Sequence, residues 1–218
     1  RSMVCMKHVG VNVAADPMFT AAYTGVNGGL VILAADDPGM HSSQNEQDSR
    51  YYARSAHLPM LEPSDSQEAV DFMKLAFEMS EKYDTPVIIR TTTRMAHSRG
   101  VVKTSARQDV PLREVVRNMR KNVMLPVNAR GRHIVVEERE HTMADDANDM
   151  PVNRIEWTED RSVGVIASGI AYQYVKEAAP EIPVLKLGLV NPLPMELIQN
   201  FADGVQRLIV AEELEPIF

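Results

Sequence analysis

The sequence predicts an α/β protein built on a doubly wound, mostly parallel sheet, followed by a truncated second α/β unit. Three observations predict it. Short apolar runs alternate with amphipathic stretches over the first hundred residues, the pattern of repeated strand–helix units. The run Leu30 to Ala35 is apolar without a break, as suits a strand covered on both faces of a parallel sheet. The alternation dissolves after about Met95 and resumes at Ser162. The expected organisation is therefore one unit over residues 1–100, a connecting segment over 101–160 that lies on a surface, and a second unit over 161–218.

Each element has a local reason. Met3 to Met6 is a short apolar strand, and Lys7 to Asn12 is expected as the loop after it. Asp16 and Pro17 suit the cap and first residue of a helix ending near Gly25. After the Leu30 strand, Asp36-Asp37-Pro38-Gly39 has turn chemistry. Ser43 with Glu46 matches a capping box that would open a helix through Arg54. Leu58 to Leu61 is the next strand. Ser64 with Gln67 is a second box, and Val70, Met73 and Phe77 share one face of the helix behind it. Pro86 to Thr92 closes the first series. The connecting segment offers helices near Leu112 to Met119 and Glu137 to Ala147, without a strong strand signal. Beyond it come strands at Val163 to Ala167, Pro183 to Leu187 and Arg207 to Ala211, with helices from Ser168 to Ala179 and Pro194 to Ala202.

Composition excludes several functions. A net charge of -7 lacks the cationic surplus that nucleic acid needs. Cys5 is the single cysteine, so no disulfide framework, cysteine zinc site or iron–sulfur cluster can be assembled from these residues. The longest apolar run is too short to span a bilayer, and no secretory leader is visible. The balance suits a soluble, cytoplasmic protein without nucleic-acid or membrane partners. Because the chain starts and stops in mid-unit, it is expected to be an excised piece with exposed apolar faces.

Polar segments at strand ends are the candidate sites, since ligands of such sheets sit at the strands' carboxyl ends. The first is Lys7 to Asn12, with His8, Gly10 and Asn12; it is either a ligand contact or a plain solvated loop that caps the next helix. The second runs from Asp36 to Asp48. Asp36, Asp37 and His41 suggest metal ligands by type, but adjacent aspartates after a strand point to opposite sides. A polar active-site or interface loop, or a capped helix entry with solvated acids, fits better. Arg90, Arg94, His97 and Arg99 could take a diphosphate, a carboxylate or a partner's acids, or be ordinary surface arginines. Gly169 follows a strand without the glycine spacing of a dinucleotide fingerprint. Glu212 and Glu213 are expected to be solvated or interfacial.

The same segments carry a resemblance. Lys7 to Pro17, Ala35 to Arg50, Pro59 to Ala69, Arg90 to Arg94 with His97 to Gly100, Asn153 to Trp157, Gly164 to Lys176 and Ala211 to Pro216 are together similar to the alpha subunit of the indolepyruvate ferredoxin oxidoreductases. These are thiamine-diphosphate-dependent 2-oxoacid:ferredoxin oxidoreductases. The likeness runs in collinear order along the whole chain. It implies oxidative decarboxylation of aryl pyruvates, made from aromatic amino acids, to acyl-coenzyme A and carbon dioxide, with electrons passed to ferredoxin. It also implies thiamine diphosphate with magnesium, iron–sulfur clusters, a smaller beta subunit and an oligomeric assembly.

In the family's terms, residues 1–100 are the later part of the pyrimidine-binding domain. Residues 161–218 open a transketolase-C-terminal-like domain. The acid that activates the aminopyrimidine is expected upstream of residue 1, and the diphosphate, magnesium and cluster sites beyond Phe218. No catalytic or metal-binding residue transfers to this chain, which is expected to hold no cofactor and to be inactive alone. What transfers is location. His8 and Asn12 are expected near the aminopyrimidine, Asp37 and His41 towards the substrate entrance. No arginine near Asp37 matches the one that holds the carboxylate in the related pyruvate enzymes. Alternatives are another 2-oxoacid:ferredoxin oxidoreductase and a non-catalytic α/β assembly module.

Overall fold

Four parallel strands make up most of the first sheet: β1 (Ser2–Lys7), β2 (Leu30–Asp36), β3 (Met60–Leu61) and β4 (Val87–Thr92), in the order β1-β2-β4-β3. The computed structural model describes residues 1–107 and 109–218; residue 108, within the connecting segment, lies outside the described residues. Alternation along the strands sends side chains to two cores. Ile32, Ala34, Met60 and Ile88 enter one; Val31, Leu61, Val87 and Ile89 enter the other. Burial on both faces is why these strands read as continuous apolar runs.

Helices cover both faces. The first core takes Val11 from α1 (His8–Val13), Met18 and Ala22 from α2 (Ala15–Thr24) and Ala53 from α3 (Ser49–Ser55). The second takes Phe72, Ala76, Met79 and Tyr83 from α4 (Ser66–Tyr83). Behind β4 come α5 (Thr93–His97), α6 (Met119–Asn122) and the long α7 (Pro126–Ala147), whose Met143 and Ala147 join the second core.

The second sheet has the order β5-β7-β6-β9, from β5 (Arg154–Glu156), β6 (Gly164–Ser168), β7 (Val184–Leu187) and β9 (Leu208–Ala211). Its helices are α8 (Gly169–Ala178) and α9 (Met195–Asp203). One strand crosses over: β8 (Leu189–Asn191) lies antiparallel to β3 in the first sheet. Ile166, Leu185, Leu187 and Phe201 extend the first core into this part of the chain. Two of the four edge strands carry exposed apolar residues, Met3 and Val4 on β1 and Leu208, Ile209 and Val210 on β9.

Several sequence expectations need correction. Residues 8–13 form a helix, not a loop, because Val11 buries against the sheet and Gly10 lets the helix approach β1; a Cβ at Gly10 would lie 2.9 Å from that of Met6. Asp16 and Pro17 stand inside the first turn of α2, whose cap residue is Ala14. The Ser43–Glu46 box does not form. Asp37 takes the Ser43 hydroxyl, Glu46 accepts from the Gly39 amide, and the helix starts only after Asp48, which caps it. The next box is offset, with Asp65 as the cap that accepts from the Glu68 amide. Val70, Met73 and Phe77 flank the buried face of α4 without forming it. Residues 112–118 form no helix; Leu112, Val115 and Val116 are exposed and have no apolar surface to cover. The second connecting helix begins earlier than expected, at Pro126, and Arg154–Glu156 is a strand.

Candidate functional site

The register of the first sheet brings three strand ends to one edge, with Lys7 beside Ala35 and Asp36 beside Thr92. Each is followed by a polar segment: α1 after β1, the loop 37–48 after β2, and α5 after β4. These segments touch. Lys7 Nζ donates to the Ser42 carbonyl at 3.0 Å, the Ser42 hydroxyl at 2.9 Å and Asp37 at 3.3 Å. His8 Nε2 lies 3.1 Å from the Asn45 carbonyl oxygen. The two segments singled out in the sequence therefore share one rim.

His8 is fully buried. Since a carbonyl only accepts, the bond to Asn45 puts a proton on Nε2, the tautomer in which Nδ1 is an acceptor. That Nδ1 is buried and has no partner among the described residues. Asn12 donates to the Tyr52 hydroxyl at 2.6 Å, which fixes its amide at the outer end of α1.

Asp37 is buried as well. Its carboxylate accepts from the Ser43 hydroxyl at 2.6 Å, the Thr93 hydroxyl at 2.7 Å, and the amides of Ser42 at 2.9 Å and His41 at 3.2 Å. The Ser43 hydroxyl above all, then Thr93 and the Ser42 amide, hold it well below the usual carboxylate range. Asp37 thus ties the loop to β1 and α5. His41 itself is exposed at the rim.

Asp36 points the other way, as the alternation of a strand requires. Its carboxylate accepts from the Ser49 amide at 3.0 Å and from Arg90 Nε at 2.6 Å. Arg90 also pairs with Glu62, which in turn accepts from the Ser168 hydroxyl of β6. Burial opposes the charge of Arg90, but Glu62, Asp36 and Asp48 outweigh it and hold the group above an arginine's ordinary value. Alongside, Arg50 pairs with Asp48 at 2.6 Å and Glu212 at 2.7 Å, and donates to the carbonyls of Glu213 and Glu215. Gly169 adopts φ +49 against this network, where a Cβ would lie 3.1 Å from Glu62 Cγ.

The arginine cluster expected after β4 is therefore split. Arg90 is neither a ligand group nor a surface residue; it is an interior cation with three carboxylates around it. Arg94 and His97 are exposed and line a cavity of about 640 Å³ with His41, Ser42, Thr93 and Ser98. Glu212 and Glu213 are half-buried, the first bound by Arg50 and the second with its carboxyl pushed up by burial. Arg50, Glu62 and Thr93 were not singled out in the sequence, and Lys7 stood there only as the first residue of the loop after β1. For Arg90 a signal existed: it lies within a strand covered on both faces, where a side chain has nowhere to go but inward.

Towards an amino-substituted heterocycle the chain's own groups offer one buried polar atom without a partner among the described residues, Nδ1 of His8. Among the described residues no group of three or more His, Cys, Asp or Glu is placed to hold a metal ion.

Comparison with known proteins completes the description. Residues 30–161 match the family described as pyruvate flavodoxin/ferredoxin oxidoreductase, thiamine diphosphate-binding. The chain is 47% identical to indolepyruvate oxidoreductase subunit IorA of Methanothermobacter thermautotrophicus, over 100% of its own length and 36% of that subunit. The corresponding subunit of Pyrococcus abyssi is 46% identical, with 100% of this chain and 35% of that protein covered. The chain thus spans about a third of the length of these relatives. Among solved structures, 2-oxoglutarate:ferredoxin oxidoreductase from Magnetococcus marinus superposes with a TM-score of 0.67 at 15% identity, over 96% of this chain and 45% of that one. A split-gene transketolase gives 0.54 at 16% identity, over 96% and 56%. At such identities the likeness is one of fold.

Proposed function

The chain belongs to the pyruvate flavodoxin/ferredoxin oxidoreductase, thiamine diphosphate-binding family, and on that premise we propose that it forms the aminopyrimidine-side wall of the thiamine site in an oxidoreductase of aryl pyruvates. The observation that carries this reading is the shared rim, where Lys7 joins α1 to the loop after β2. Relatives named indolepyruvate oxidoreductase support the substrate class.

Bound thiamine diphosphate would supply the carbanion chemistry that cleaves the bond to the substrate carboxylate. The protein's part is placement. In this reading His8, held by Asn45, would offer Nδ1 to an amino group of the ring, and Asn12, held by Tyr52, would close the outer side. Asp37 keeps the loop in position from inside, and His41 stands at the entrance. The activating acid, the diphosphate and magnesium contacts and the iron–sulfur clusters belong to polypeptide other than these residues. So do a beta subunit, within an oligomer, and the sites for ferredoxin and coenzyme A. Alone, the chain is inactive.

The test is turnover by the full-length alpha and beta subunits with coenzyme A and an electron acceptor. Indolepyruvate is compared with pyruvate, branched oxoacids and 2-oxoglutarate. The reading expects the highest kcat/KM with an aryl pyruvate. No turnover with any aryl pyruvate removes the substrate assignment, and none with any oxoacid removes the enzymatic one.

A further inference from the structure

We propose that the outward stripe of α7 joins two copies of this chain, with the two helices antiparallel across a two-fold axis. The inward face of α7 buries Val136, Arg139, Met143 and Ala147 against its own chain. On the opposite side, at helical spacing, run Val127, Arg130, Ile134, Glu138 and Asp145, with Asp149 in the turn that follows; all six are exposed. Val127 is 74% and Ile134 61% open to solvent. A helix with apolar residues on both sides has a second face to cover.

The stripe is complementary to itself. Its first half is cationic and apolar and its second half acidic. The division continues along the chain: residues 99–132 hold nine Lys and Arg against two Asp and Glu, and residues 133–218 hold six against sixteen. Arg120 borders the cationic end, around a hollow shared with Val127 and Gly131. Laid antiparallel, Arg130 of each copy faces Asp145 of the other, Arg120 faces Asp149, and Ile134 packs on Thr142. A two-fold contact has this form, each patch meeting its own counterpart reversed. Glu138 lies on the axis, where the two copies bring like charges together.

Two further observations favour a second copy. Charges on the flanks of α7 are satisfied within the chain, Arg132 by Asp84, Glu140 by His57 and Asp146 by Lys82. Arg130, Glu138, Asp145 and Asp149, all on the stripe, form no ion pair among the described residues. The ends of α7 also lack the charges that a helix dipole favours, with no acid in the first turn and no base in the last. An antiparallel copy supplies both, its acids beside the first turns and its arginines beside the last. A helix pair buries less than a standard interface, and its ion pairs are screened by salt, so the dimer is expected to be weak and salt-sensitive.

The contact does not rest on the reaction proposed above. Its first test is sedimentation equilibrium of this chain at low and high salt. A dimer that loosens with salt is expected. Arg130→Glu and Asp145→Arg should each raise its Kd about tenfold or more, with thermal unfolding unchanged, and the double variant Arg130→Glu/Asp145→Arg should recover the dimer. A chain that stays monomeric overturns the proposal. So does association that both single variants leave intact, which would point to the open edges of β1 and β9.

The second test reads the geometry. Cys5 is the single cysteine, so Cys5→Ser gives a clean background. In it Glu138→Cys should join two copies through a short bismaleimide. Val127→Cys, about 33 Å from its counterpart at 1.5 Å per residue, should not. Residue 127 joining as readily as residue 138 overturns the antiparallel pairing. A photo-crosslinking amino acid in place of Glu138 in the full-length subunit should likewise join two such subunits. Capture of a different subunit there, or of none, overturns the proposal.

Discussion

Two clusters of charge meet at the carboxyl ends of β2 and β4, and they differ in what water can reach. Behind the sheet edge, Arg90 and Arg50 sit among Asp36, Asp48, Glu62 and Glu212, nearly sealed from solvent. In front of it, Arg94, His97 and His41 stand open around a cavity. The interior cations are paired with carboxylates; Arg94 forms no ion pair among the described residues. Charge out of water must be paired or pay a desolvation penalty, so the first cluster serves to hold the fold together. Charge at an open rim stays available to a ligand.

The comparison breaks most directly at Arg90. Replacing it with alanine strands Asp36 and Glu62 inside the protein, and the expected loss is about 3–5 kcal/mol in urea unfolding. A loss below about 1 kcal/mol would mean that the interior cluster is not structural. Arg50→Ala comes next, at about 1.5–3 kcal/mol for charged hydrogen bonds removed. It should also raise hydrogen exchange over residues 212–217, since Arg50 holds the carbonyls of Glu213 and Glu215. Unaltered exchange there would place the anchor of that segment elsewhere.

Asp37 stands between the two clusters, and pH sharpens its role. Its pKa is depressed in the folded chain, so its stabilising effect is complete above the unfolded value of about 4 and fades as pH falls below it. The gap in unfolding midpoint between the parent and Asp37→Asn should be open near neutral pH and narrow in acid. A gap that widens on acidification contradicts the assignment. The smallest effect belongs to Arg94→Gln, expected within about 0.5 kcal/mol of the parent. Substitutions at Arg90 and Arg94 would then bracket the whole range.

Much of the architecture was legible in the chain. The strands ending at Ala35 and Thr92, the helix ending at Gly25 and the α/β alternation after Ser162 follow from apolar runs and turn residues. The opposed directions of Asp36 and Asp37 follow from strand geometry alone. Capping was legible less well, because Ser43 and Glu46 had competing partners in Asp37 and the Gly39 amide. The pairing of Lys7 was hidden for a similar reason: its partner Ser42 is 35 positions away.

Amino-acid order by itself determined the strands β2, β4, β6 and β7 and the helices α4, α8 and α9, since period and apolarity are properties of neighbouring residues. Tertiary structure alone decided that residues 8–13 coil onto β1, that β8 joins the first sheet, and that Arg90 turns inward while Arg94 faces out. Such choices depend on which distant groups share a desolvated space. Arg50 and Glu212 are 162 positions apart, and only the folded chain brings them within reach of one another.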